Sequence, residues 1–227
     1  MRAELAASCS DVVKIYLSAA GHVRALDAVD AEFPERAVTA VLGPSGSGKS
    51  SLLKILAGLE RATSGQVEVG GAWFSGLGPG GLRRARRALV GYVFQRPSDN
   101  LISYLTVIEH LRLAARLRSR EGGGEVDELL EVLGLGPRAT SLPRHLSGGE
   151  QQRVAFAQAV IGAPAVVIAD EPTAELDGRS ARALVDVIGD LARRGSAIIV
   201  ATHDVAVSQG AQRRIVLDHG SVTEAGR

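Results

Sequence analysis

The chain has 227 residues, with 26 Lys and Arg against 25 Asp and Glu and a formal charge of +1. That length can bury one large core with a subdomain, and the near-neutral balance gives no electrostatic reason to bind nucleic acid or an anionic surface. A single cysteine, Cys9, excludes an intrachain disulfide and a cysteine-rich zinc cluster. No apolar run approaches the roughly 18 residues of a membrane span, and the N-terminus lacks a signal-peptide pattern; the expected setting is the cytoplasm, with a partner supplying any membrane contact.

The first third reads as strands at Asp11 to Tyr16, in parts of Val23 to Phe33, at Val38 to Leu42 and at Gln66 to Val69. "GLGPGG", Gly76 to Gly81, reads as a loop, and "RRARR", Arg83 to Arg87, as a solvated helix face. Val107, Leu111, Ala114 and Leu117 then recur at helical spacing. "GGG", Gly122 to Gly124, breaks that helix; Val126, Leu129, Leu130 and Leu133 mark a second, which Gly134, Gly136 and Pro137 end. About Leu101 to Ser147 therefore reads as a helical insertion in one domain, whose α/β parts are about 1–100 and 148–227. A helix from Gly148 to about Ile161, a strand at Ala165 to Asp170, a helix through Ala181, Leu184, Ile188 and Leu191, and the buried strand "AIIVA" follow. "RIVLDHGSV" reads as a terminal hairpin turning at Asp218 to Gly220. Continuous apolar strands alternating with helices predict an α/β fold with a mainly parallel sheet covered on both faces.

"AVLGPSGSGKSS" sets a β-branched strand before Gly43 and places Gly43, Gly48, Lys49 and Ser50 in the spacing of a phosphate loop. Glycines let backbone amides curl around phosphate oxygens, Lys49 brings a point charge to the β- and γ-phosphates, and the Ser50 hydroxyl can ligate Mg²⁺. The nucleotide-binding set runs on through Pro44, Ser45, Gly46, Ser47 and Ser51. In "VVIADEPTAELD", four apolar residues deliver Asp170 to a strand end, where it can hold Mg²⁺, and Glu171 follows, where it can orient and deprotonate a water for attack on the γ-phosphate. His203, past the next buried strand, can reach the γ-phosphate, and Gln95, after "GYVF", can meet Mg²⁺ or the attacking water. "LSGGEQQR" has Ser147 three residues before Glu150, a capping box, with Gly148 and Gly149 leaving backbone amides bare for an anion.

In this order the segments resemble the nucleotide-binding subunits of ABC transporters over nearly the whole chain. The resemblance implies a P-loop NTPase core with an N-terminal antiparallel β-subdomain and an inserted α-helical subdomain. It identifies Gln95 with the glutamine loop, Leu146 to Gln151 with the signature, Asp170 and Glu171 with the Walker B carboxylates, Asp177 with the D-loop and His203 with the switch histidine. It further implies an ATPase using ATP and Mg²⁺. Two copies, or paired subunits, would sandwich two nucleotides head to tail, so that Ser147 and the Gly149 amide contact ATP on the partner's phosphate loop. Energy would pass to a transmembrane permease on the cytoplasmic face of the membrane.

The offset of Tyr16 ahead of Lys49 matches the family's adenine-stacking aromatic, beside its ordinary reading as a half-buried strand tyrosine. "VRALDAVD" and "LTVIEHL" look most like exporters of the lipoprotein-release and macrolide-efflux type. "FQRPSDNLISYLTV" is longer than that group's spacing, and "PTAELD" replaces its common "PTGNLD". "GKSS" keeps the metal-ligand hydroxyl at Ser50. A soluble relative acting on nucleic acid or ribosomes would instead bring coiled-coil insertions, zinc cysteines or a second cassette. A non-hydrolysing sensor would lack Glu171 or His203.

Overall fold

The computed structural model describes residues 4–18, 21–118 and 123–226. In chain order the first strands and helices are β1 (Leu5–Ser18), β2 (Gly21–Pro34), β3 (Val38–Leu42), α1 (Lys49–Leu56), β4 (Ser64–Val69), β5 (Ala72–Trp73), α2 (Pro79–Leu89) and β6 (Val90–Val93). Then come α3 (Val107–Leu117), α4 (Gly123–Val132), α5 (Gly148–Val160), β7 (Val166–Asp170), α6 (Gly178–Arg193), β8 (Ala197–Ala201), α7 (Val205–Gly210), β9 (Arg213–Asp218) and β10 (Ser221–Gly226).

Two sheets form. One is antiparallel in the order β2-β1-β4-β5. The other runs β10-β9-β3-β8-β7-β6, parallel except for the β9–β10 hairpin, with β6 at its outer end bonded to β7. The continuous apolar strands are buried on both faces, as expected, because successive side chains face opposite ways. Val167, Ala169, Ile198 and Val200 join a core with α3, α4, α5 and α6. Val166, Ile168, Ala197 and Ile199 join a second core with α1 and the antiparallel sheet. Among the described residues no helix is long and apolar enough to cross a membrane.

Three local expectations change. The loop over Gly76 to Gly81 is shorter, because α2 starts at Pro79, whose ring presets a helical φ and whose missing N–H has no acceptor to lose there; Gly80 and Gly81 are helical. Of the arginines that follow, Arg83, Arg84 and Arg87 are exposed and Arg86 is half-buried. At the glycine triplet, Gly122 lies outside the described residues, and α4 already opens at Gly123. β1 begins at Leu5, well before Asp11: Asp11 takes φ 50° where the β1–β2 register shifts between Cys9 and Val12, and Asp30 Oδ1 accepts its N–H at 2.8 Å. That bulge lets the strand continue through a residue that reads as an end.

Candidate functional site

Four neighbouring parallel strands, β3, β8, β7 and β6, end on one edge of the large sheet and carry the phosphate loop, His203, Asp170 and Gln95 respectively. Ligands of open parallel sheets bind beyond such carboxyl ends. A cavity of about 550 Å³ opens there. Every residue expected of the phosphate loop lines it except buried Ser47, and Gln95, Asp170, Glu171 and His203 line it too.

The loop's shape depends on two glycines pressed against other elements. A Cβ on Gly43 (φ +142°) would stand 2.0 Å from Leu217 O, and one on Gly48 (φ +104°) 2.4 Å from Ala25 O. Ser47 N–H donates to Pro44 O at 3.2 Å, and Gly220 N–H to Ser47 O at 3.0 Å, so the terminal hairpin braces the loop from behind. Lys49 Nζ donates to Gly43 O at 2.8 Å and Pro44 O at 3.0 Å, which centres an ammonium within the loop. Gly46 faces open space. The cradle has room and charge for phosphate.

The Asp170 carboxyl is held above the usual aspartate range, chiefly by burial; a hydrogen bond with the Ser50 hydroxyl opposes the shift and the Glu171 charge adds to it. Ser50, Asp170 and Gln95 offer only oxygen donors, the set that a hard divalent cation prefers. Glu171 sits at φ 47°, fixed by its N–H to Ala201 O at 2.8 Å. Its carboxylate is 16% exposed, and Oε2 accepts from His203 Nδ1 at 2.9 Å and from His203 N–H at 3.3 Å. A carboxylate that orients an imidazole and faces a polar cavity can also take a proton from water there.

Tyr16 lies next to α1, outside the lining of that cavity. Its hydroxyl donates to Glu60 Oε2 at 2.7 Å and lies 3.2 Å from Ser51 Oγ, while Lys14 Nζ stands 4.7 Å from the ring centroid. Burial raises the phenol pKa; Ser51 opposes and Glu60 adds to that shift. The structure shows the half-buried strand tyrosine of the ordinary reading, with its hydroxyl reaching Ser51, which lines the cavity.

The signature stands apart. Ser147 caps α5 in the expected box: Glu150 N–H donates to Ser147 Oγ at 3.2 Å, and Ser147 N–H to Glu150 Oε2 at 2.8 Å. Arg138 Nε steadies the same glutamate at 2.9 Å. The amides of Gly148 and Gly149, in the first turn, have no partner among the described residues, and Ser147 and Gly148 are exposed. A Cβ on Gly149 would come within 3.0 Å of Ser180 Cβ, so α5 starts in close contact with α6. Asp177 caps α6, accepting from Arg179 N–H at 2.9 Å and Ser180 N–H at 3.0 Å. None of Ser147, Gly148, Gly149 or Asp177 lines the nucleotide-sized cavity.

The ABC transporter family profile matches residues 26–174. The chain belongs to the ABC transporter family. It is 38% identical over 217 residues to the macrolide export ATP-binding/permease protein MacB of Rhodospirillum rubrum, covering 94% of this chain and 33% of that protein. It is 37% identical over 220 residues to the methionine import ATP-binding protein MetN of Geobacillus kaustophilus, covering 95% of this chain and 64% of that one. The chain thus spans a third of the exporter and under two thirds of the importer. The dimeric, post-hydrolysis structure of the ATP-binding cassette MJ0796 bound to ADP and Pi matches with a TM-score of 0.86 at 32% identity, over 97% of this chain and 98% of that one.

This ABC ATPase cassette therefore has the expected architecture of parallel core, antiparallel β-subdomain and helical insertion. Two contributors escape a motif-based reading. Ala25 lines the cavity and its carbonyl abuts Gly48, yet an alanine in "VRALDAVD" carries no chemical signal. Glu60 anchors Tyr16, but only the folded chain brings them together.

Proposed function

We propose that this cassette hydrolyses ATP between two copies of itself, or beside a paired cassette, and drives a transmembrane permease in export of lipoprotein-, macrolide- or peptide-type cargo. One observation carries the shared-site reading: the cavity has phosphate cradle, carboxylates and histidine on one wall, while the anion-ready start of α5 is exposed elsewhere on the same chain. A second copy placed head to tail supplies the missing wall. Gly43 to Ser51 hold the phosphates, Lys49 offsets their charge, and Ser147, Gly148 and Gly149 of the opposite copy close over the γ-phosphate. Asp177 caps α6 beside that closing face, and Tyr16, oriented by Glu60 and Ser51, stacks on the adenine. Glu171, aligned by His203, accepts the proton of the attacking water.

Ser50, Asp170 and Gln95 would hold Mg²⁺, which when bound neutralises charge on the β- and γ-phosphates. Once the γ-phosphate leaves, its contacts to the opposite signature go with it and the halves separate. The likeness to an exporter fused to its permease supports the export reading and a place on the cytoplasmic face of the membrane. Co-purification from membranes with a permease bearing a large extracytoplasmic domain is the expected result; a permease without one argues against this cargo class.

The shared-site reading is tested by dilution. Specific ATPase rate should fall as cassette concentration drops below the dimer range, and a constant specific rate there would overturn it. A second expected result concerns Asp170. Its folded-state pKa is raised, so its charge weakens the nucleotide-free fold above that pKa, and the penalty disappears as pH falls through it. Asp170→Asn should therefore melt above the parent near pH 7, with the gap shrinking toward the ordinary aspartate range, while Mg²⁺-dependent hydrolysis is lost. A lower melting temperature near neutrality refutes the assignment of that strain.

A further inference from the structure

Arg118 closes α3 and reaches three backbone carbonyls on two other elements. Its Nη1 donates to Ala159 O at 2.9 Å and to Ile161 O, and its Nη2 to Val90 O at 3.0 Å. Ala159 and Ile161 stand at the C-terminal end of α5, where carbonyls lack intrahelical donors and carry the negative end of the helix dipole. Val90 opens β6, the strand leading to Gln95. Across the α3–α4 connection, Glu125 Oε1 accepts from Gly162 N–H at 2.7 Å, so a second group of the helical insertion grips the chain just beyond α5. Burial lowers the guanidinium pKa from its ordinary value and Glu125 opposes the shift; arginine stays charged at any working pH. Among the described residues, no carboxylate forms an ion pair with Arg118.

A half-buried cation whose hydrogen bonds, among the described residues, all go to backbone carbonyls, at the junction of the insertion with the catalytic sheet, does more than fill space. Ser147 caps the opposite end of the same α5. We propose that Arg118 is a positioning residue: by locking the foot of α5 to α3 and β6, it sets the angle at which the signature end meets the partner cassette. This inference rests on the shared-site reading above. It adds a residue that no sequence motif contains and that lies outside the lining of the cavity at the phosphate loop.

Because the signature of one copy serves the cavity of the other, a signature-positioning defect acts across the interface. Arg118→Ala should bind ATP as a monomer like the parent, keep KM within about twofold, and lose about tenfold or more in kcat. Arg118→Lys keeps the charge but replaces the planar fork with one ammonium, so it should show the same pattern with a smaller loss, and it serves if the alanine variant does not fold.

Mixing decides the direction. Mixed with Lys49→Ala, whose signature is intact, Arg118→Ala should regain the turnover of one composite site. Mixed with Ser147→Arg it should stay inactive. Rescue by Ser147→Arg instead would place the role of Arg118 in its own cavity and overturn the proposal. Rescue by neither, or a loss of activity that merely follows the folded fraction, reduces Arg118 to a stabilising contact and also overturns it. Failure of the control mixture, Lys49→Ala with Ser147→Arg, sinks the shared-site reading itself, a result distinguishable from the others.

Discussion

Glu171→Gln should end steady ATP turnover and leave an ATP-filled dimer standing. The change is isosteric and removes the one property that matters, the capacity to accept a proton. Its surroundings favour a clean test. The backbone at φ 47° is pinned by Ala201 O, and a glutamine Oε1 can still accept from His203 Nδ1, so geometry survives the loss of basicity. General-base catalysis is worth roughly 10²- to 10⁴-fold, and a fall of that order in single-turnover rate is expected. If departure of the γ-phosphate opens the sandwich as proposed, the variant should elute as a dimer with ATP and as a monomer without it. Turnover within about twofold of the parent would remove Glu171 from the role of base.

Ser147→Arg should be equally inactive for a different reason. It destroys the capping box, at a cost of about 1 kcal/mol to the start of α5, and puts a bulky cation where, on the shared-site proposal, the first turn meets phosphate. The variant's own cavity keeps Lys49, Ser50, Asp170 and Glu171, so monomeric ATP binding should match the parent. Mixed with Lys49→Ala, it should regain activity, since one of the two composite sites is then intact. If the variant binds no ATP as a monomer, the signature belongs to its own chain's site and the shared geometry is wrong.

The parts legible in the sequence are those whose signal is local. Val38–Leu42 announces a doubly covered strand, the glycines and Lys49 announce the loop after it, and the run ending in Asp170 and Glu171 places two carboxylates at a strand end. The capping box at Ser147 is a four-residue pattern and forms as read. What stays hidden depends on elements far apart in the chain. The length of β1 is masked because its bulge at Asp11 is stabilised by Asp30 on the paired strand. The need for glycine at 43 and 48 is written in Leu217 and Ala25, not in the loop. Tyr16 takes its orientation from Glu60, and Arg118 finds carbonyls from two distant segments. Backbone acceptors have no side-chain letter, so no motif could disclose that clamp.

The position of β6 has a mechanical consequence. The loop, His203 and Asp170 are fed by strands flanked on both sides, whereas Gln95 hangs from the outermost strand, which among the described residues has β7 as its single neighbour in the sheet. On the proposed coupling to a permease, a load applied to the insertion would tilt this lever while the other three stay bolted down, and force from outside would reach the chemistry at its most yielding fixture.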